Sequence, residues 1–215
     1  MSSHRQPGYI VVEGPIGVGK TTLARRLAPA LQSDLLLEQA EDNPFLPRFY
    51  RDPDNAAFQT QLFFLFQRAQ QVQSLRQGDL FRPAQIVDFL IDKDHLFASL
   101  TLTADELDLY QQVYDKMIPD APQPDLVIYL QAPVEVLLQR IRTRAIDYEQ
   151  LIDEHYLQRV AEAYVDFFFN YHRSPLLIVN TAAINLAEGD ADFNLLLERI
   201  LEMPSGRHYF NPGAI

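Results

Sequence analysis

The 215-residue chain contains no cysteine at all. It therefore has no disulfide framework, no thiolate zinc site and no thiol nucleophile. Positive charge is also in short supply: 18 Lys and Arg against 29 Asp and Glu give a formal charge of −11. That is the wrong sign for a protein that grips nucleic acid by neutralising phosphates. No apolar run approaches the roughly 20 residues needed to span a bilayer. The opening MSSHRQPGYIVV lacks the apolar centre of a signal peptide. A cytoplasmic chain with no membrane or nucleic-acid partner is the expectation.

What is present suits a buried core. Hydrophobic residues make up 47% and charged residues 22%, and the length allows one α/β domain across 1–215, with irregular tails at 1–7 and 204–215. Apolar runs alternate with helical patterns, as in a parallel sheet covered by crossover helices. Expected strands are YIVVEG (9–14), LLLE (35–38), AQIVDFL after Pro83, DLVIYLQA (125–132) and LLIVN (176–180). Expected helices start at KTTLARRLAPALQ, weakened or ended by Pro29, and at Ala56, running to Gln77 with Gly78 as the stop. Further helices run from the capping box of Thr103 and Glu106 to Met117, after Pro133 through VEVLLQRIRTR, over 153–172, and along ADFNLLLERILEM. The stretch QAEDNPFLPRFYRDPDN reads as a loop broken by short turns.

One stretch carries explicit chemistry. GPIGVGKT (14–21) fits GxxxxGK(S/T) and lies directly between a buried strand and a helix. Gly14, Gly17 and Gly19 let backbone amides turn toward phosphate oxygens, and Thr22 continues the helix N-terminus whose dipole favours the anion. Lys20 would reach the β- and γ-phosphates, and the Thr21 hydroxyl would ligate Mg²⁺. ATP as phosphate donor and Mg²⁺ are thus the expected cofactors.

The acceptor side is read from strand ends. Asp88 closes the AQIVDFL run and can serve Mg²⁺ or take a proton from an attacking hydroxyl. Glu38 holds the same kind of position after the second strand. Two carboxylates near the γ-phosphate repel an acceptor that already carries phosphate, which points to a neutral nucleoside. On the helix from Ala56, Gln59, Phe63, Phe66 and Gln70 share a face, either as core or as a base pocket. Arg140 and Arg144 lie four apart on one helix face, either as a phosphate-clamping lid or as a solvated basic helix end.

Together GPIGVGKT, LLLEQAEDNPFL, FYRDP, FQTQLFF with RAQ, DFLIDKDHLFA, and LQAPVEVLLQRIRTR followed by YEQ resemble the deoxynucleoside kinase family, in particular its bacterial deoxyadenosine and deoxyguanosine kinase branch. The resemblance implies a P-loop kinase fold: three-layer α/β/α with a parallel sheet of about five strands, plus an arginine-bearing lid. It implies transfer of the γ-phosphate of ATP to the 5′-hydroxyl of a deoxynucleoside, with purines favoured, in nucleotide salvage by a homodimer. Under it Asp88 would be the general base, Glu38 would hold the 5′-hydroxyl end, Tyr50 and Glu149 the 3′-hydroxyl, and Gln59 the base edge. Phe58 and Phe63 would shape the base pocket, Asp94 would lie near the base, and Arg140 and Arg144 would be lid arginines.

Departures from the family pattern are specific. Where the (E/D)RS signature has Arg and Ser, this chain has Phe89 and Leu90, and Lys93 is the nearest cation able to compensate. A helix arginine used near the base by some relatives reads Phe66, and a lid RGR reads RAI, with Ile146 in the last place. Two other readings follow. One is a nucleoside monophosphate kinase using Arg48 and Arg51 on the acceptor phosphate; the other is a catalytically weakened nucleotide-binding module.

Overall fold

The computed structural model describes residues 7–76, 84–118, 121–187, 189–203 and 205–212. The expected stop at Gly78, Pro83 and most of the N-terminal tail lie outside them. In chain order the elements are β1 (Tyr9–Glu13), α1 (Lys20–Ala30), β2 (Asp34–Leu36), a short α2 (Leu46–Phe49), α3 (Ala57–Arg76), β3 (Gln85–Val87), α4 (Lys93–Thr101), α5 (Ala104–Met117), β4 (Leu126–Gln131), α6 (Val134–Arg144), α7 (Glu154–Phe169), β5 (Leu176–Asn180), α8 (Asp190–Glu202) and β6 (Arg207–Phe210).

The strands form one all-parallel sheet in the order β2-β3-β1-β4-β5-β6. Helices cover both faces, and the period of two along each strand divides the core between them. Ile10 and Val12 of β1 with Ile128 and Leu130 of β4 pack against α1, α6 and α8. Val11, Val127 and Tyr129 face α3, α4, α5 and α7 on the other side. A sheet buried on both faces needs continuous apolar runs, which is why YIVV and LVIYL are legible as central strands.

Two differences from the expectations have local causes. The sheet has six strands rather than about five, because Arg207–Phe210 pairs with β5 from Leu176↔Arg207 to Val179↔Phe210 where an irregular tail was expected. Four residues at a sheet edge leave little periodicity to read. Helix α4 follows a strand signal with no cap and begins at Lys93, so DFLIDKDHLFA hid it. Of the aromatic run on α7, Tyr164 and Phe168 are core, while Val165 and Phe169 are exposed. The capping box at Thr103 and Glu106 is present, with the Thr103 amide donating to Glu106 at 3.0 Å.

The β1–α1 connection is where the backbone is most constrained. Gly14 has φ 150° and Gly17 φ 83°. A Cβ on Gly14 would lie 2.3 Å from the Leu130 carbonyl oxygen, and one on Gly17 2.8 Å from that of Leu137. The loop is thus pressed onto β4 and α6 at a distance only glycine permits. Gly19 has φ 105° but no neighbour within 4 Å of an added Cβ. Gly14→Ala is therefore expected to lower the unfolding free energy by about 2–4 kcal/mol. Gly19→Ala should cost only ~1 kcal/mol, a contrast that denaturant unfolding of the two variants measures.

Candidate active site

All the charged groups of interest sit at the carboxyl ends of β1, β2 and β3, where open parallel sheets place ligands. Glu13 ends β1, Glu38 lies just past β2, and Asp88 directly follows β3. Lys93 and Asp94 enter from the first turn of α4, and Arg68 from the middle of α3. All but the fully buried Glu13 line one cavity, which the phosphate loop closes on one side through Gly17, Lys20 and Thr21.

Asp88 ties donor loop and acceptor side together. One carboxylate oxygen accepts from the Thr21 hydroxyl at 2.6 Å, and the other from the Glu38 amide at 2.6 Å. Burial raises its pKa against the opposing pull of those two bonds. Thr21 and Asp88 are adjacent hard oxygen ligands, the donor set that Mg²⁺ accepts when it keeps several waters and binds phosphate besides. Lys20 donates to the carbonyls of Gly14 (2.8 Å) and Pro15 (3.3 Å).

Glu38 faces the cavity between two cations. Arg68 Nη2 lies 2.8 Å from one of its oxygens and Lys93 Nζ 2.9 Å from the other. Burial alone would push the Glu38 pKa up; Lys93 and Arg68 outweigh it and hold the carboxyl well below the usual range. Arg68 also donates through Nε to Asp94, whose pKa burial raises. Burial disfavours the charged guanidinium, but Asp94 and Glu38 lift the Arg68 pKa above its ordinary value. A buried arginine is stable here because two carboxylates meet it, and its ring neighbours Phe64 and Phe89 lie 5.8 Å and 5.4 Å away.

The α3 residues expected around the base lie away from the cavity. Gln59 is exposed, while Phe58 and Phe63 are half-buried and line no part of the cavity. Gln61, Phe64 and Arg68 line it instead. These three are spaced by three and four along α3 and form a different face from Gln59, Phe63, Phe66 and Gln70, since a shift of two residues turns a helix by roughly 200°. An arginine of α3 does reach the cavity, as Arg68, whereas Phe66, where one was looked for, is 51% exposed. Arg68 stood in the quoted RAQ, and only a correct register would have assigned it.

Tyr50 and Glu149 do line the cavity. The Tyr50 ring stacks on Tyr148 with an interplanar angle of 8°, and burial raises its pKa. Glu149 is held by Arg144 in a two-pronged contact, Nη2 to Oε1 at 2.7 Å and Nε to Oε2 at 2.9 Å. Arg144 borders a second cavity as well, shared with Gly17, Gly19, Lys20, Thr21, Thr22 and Arg140. Arg140 donates to the Val18 carbonyl (3.2 Å) and to both oxygens of Thr181. The two arginines therefore do different things: Arg140 braces the donor loop, and Arg144 sits where the two cavities meet.

The arrangement can hold polyphosphate in the second cavity and a neutral hydroxyl-bearing ring in the first. A family model described as deoxynucleoside kinase matches residues 10–203. A deoxyguanosine kinase of Bacillus subtilis (strain 168) is 35% identical over 157 residues, 73% of this chain and 76% of the relative. A deoxyguanosine kinase of Lactobacillus acidophilus is 28% identical over 207 residues, 90% of this chain and 89% of the relative. A solved deoxyadenosine kinase from M. mycoides with bound dCTP has the same fold, with a TM-score of 0.76 at 22% identity, covering 91% of this chain and 100% of that one. The match runs from the first strand to the end of the last helix, and the chain belongs to the deoxynucleoside kinase family.

Proposed function

We propose that the protein transfers the γ-phosphate of ATP to the 5′-hydroxyl of a purine deoxynucleoside, giving the monophosphate and ADP. The observation that carries this reading is Glu38, an ionised carboxylate facing a cavity that the phosphate loop closes. The bond from O5′ to Pγ forms as the bond from Pγ to the β,γ-bridging oxygen breaks, and the hydroxyl proton passes to a carboxylate. Glu38 is the better base on geometry. Both carboxylates are engaged through both oxygens, but Asp88 is tied to the Thr21 hydroxyl of the phosphate loop, where Mg²⁺ would sit, whereas Glu38 is held by side chains of the acceptor cavity, Arg68 and Lys93; Asp88 binds protons more readily, and reach precedes pKa in choosing a base.

Asp88 and Thr21 would hold Mg²⁺, which supplies charge neutralisation on the phosphates when bound. Lys20 meets the same phosphates, while Arg140 and Arg144 form the arginine side of a lid. Tyr50 and Glu149 position the sugar, and Gln61 with Arg68 reads the base edge against Phe64. Purine preference follows the relatives named deoxyguanosine kinases. Homodimer state and cytoplasmic location belong to the same proposal; among the described residues no helix is long and apolar enough to cross a membrane. The monophosphate-kinase reading loses its support, since Arg48 and Arg51 are exposed and line no part of the acceptor cavity.

Two measurements test the assignment. Glu38→Gln should lower kcat by roughly 10²–10⁴-fold with the Mg²⁺ requirement unchanged, whereas Asp88→Asn should raise the half-saturating Mg²⁺ concentration. The reverse pattern would return the base role to Asp88. In steady-state assays on the four deoxynucleosides, the two purines are expected to have the higher kcat/KM. Gln61→Ala should lower their kcat/KM by about tenfold, the cost of one lost hydrogen bond to a buried edge, and a uniform loss across all four bases would contradict base reading by Gln61.

A further inference from the structure

The residue after Asp88 cannot serve the phosphates. Phe89 is fully buried, packed among Leu65, Tyr110 and Val160, with Arg68 over its ring. A cation nevertheless occupies the centre of the site. Lys93 enters from the first turn of α4 with its side chain only 4% exposed. Its ammonium lies 2.9 Å from Glu38 and 3.6 Å from Glu13.

Glu13 is itself a fixed point. It is fully buried, and one of its oxygens accepts from the Gly14 amide (2.8 Å) and the Tyr164 hydroxyl (2.9 Å). The other accepts from the Leu90 amide at 2.6 Å. The first residue of the phosphate loop, the segment after Asp88 and helix α7 are thus pinned to one carboxylate. Lys93 extends that anchorage to Glu38. A buried lysine loses rotamer freedom and hydration, and it persists only where carboxylates hold it on more than one side. Glu13 and Glu38 supply those two sides.

We propose that Lys93 is a positioning residue for phosphoryl transfer, holding the Glu38 carboxylate in register with the phosphate loop through the Glu13–Lys93–Glu38 bridge. This rests on the functional reading above, and it goes beyond charge compensation for Phe89. Lys93 acts through Glu38, so its effect vanishes once Glu38 is neutralised. It also acts on the rate rather than on substrate affinity, because Glu38 keeps Arg68 as a partner and the groups placed on the sugar and base, Tyr50, Glu149, Gln61 and Phe64, are unchanged. A misplacement of about 1 Å at a reacting group costs on the order of 10²-fold.

The experiment compares the parent protein, Lys93→Met, Glu38→Gln and the double variant in deoxynucleoside phosphorylation. Calorimetric binding of the deoxynucleoside and thermal unfolding are followed beside it. Lys93→Met is expected to lower kcat by roughly 30–100-fold, with KM and the calorimetric Kd for the deoxynucleoside within about threefold. The double variant should be no slower than Glu38→Gln alone, because the two residues act as a unit. If Lys93→Met does not fold, Lys93→Ala assayed with ethylammonium takes its place: recovery of rate by the cation, and not by ethanol, is expected. Lys93→Met retaining more than half of kcat, single effects that multiply in the double variant, or equal recovery by ethanol would overturn the proposal. Absence of turnover in the parent would remove the functional reading and this proposal with it, whereas parent turnover matched by Lys93→Met removes only the role of Lys93.

Discussion

Charge buried without a partner is the costliest thing a protein interior can contain, and the ends of three parallel strands here hold Glu13, Glu38 and Asp88 within one small region. The surrounding fold is organised to answer that cost. Arg68 comes from α3 and Lys93 from α4, while Thr21 and several backbone amides take the remaining lone pairs. Each of these donors arrives from a different element. The charge set therefore fixes how α3, α4 and the phosphate loop stand relative to the sheet. Replacing the set by apolar residues would suit stability as well, so its retention fits a role in chemistry.

The same set explains the choice of acceptor. Both cavity cations nearest Glu38 are already matched by carboxylates, with Arg68 between Glu38 and Asp94 and Lys93 between Glu38 and Glu13. Neither of these two is free to meet the dianion of a nucleotide acceptor. Lys20, which lines both cavities, hydrogen-bonds only to carbonyls, and Arg140 on the second cavity only to a hydroxyl and carbonyls, so both are open to a phosphate on the donor side. Phosphate is therefore favoured on the donor side and disfavoured on the acceptor side, a division that belongs to nucleoside rather than nucleotide phosphorylation.

The fold was legible where a physical constraint repeats along the chain. Central strands buried on both faces produce continuous apolar runs, and the glycine loop must sit between strand and helix. Asp88, Lys20, Thr21, Glu38, Tyr50, Asp94 and Glu149 all line one or both of the two cavities. What escaped was set by neighbours instead. The α3 stripe has glutamines and phenylalanines on several sides, so periodicity did not choose between Gln59 with Phe63 and Gln61 with Phe64. Helix α4 begins without a side-chain cap, and β6 owes its existence to pairing with β5. Glu13 was visible only as the last letter but one of the expected strand YIVVEG, since its contacts come from Gly14, Leu90, Lys93 and Tyr164.

The charge set at the strand ends favours a neutral hydroxyl over a phosphate as the acceptor. The direct measurement offers γ-labelled ATP to the protein in a mixture of a purine deoxynucleoside, its 5′-monophosphate and water, and follows the label. The account predicts label in the deoxynucleoside monophosphate alone. Label in the diphosphate would place the acceptor phosphate beside Glu38 and Asp88 and contradict it.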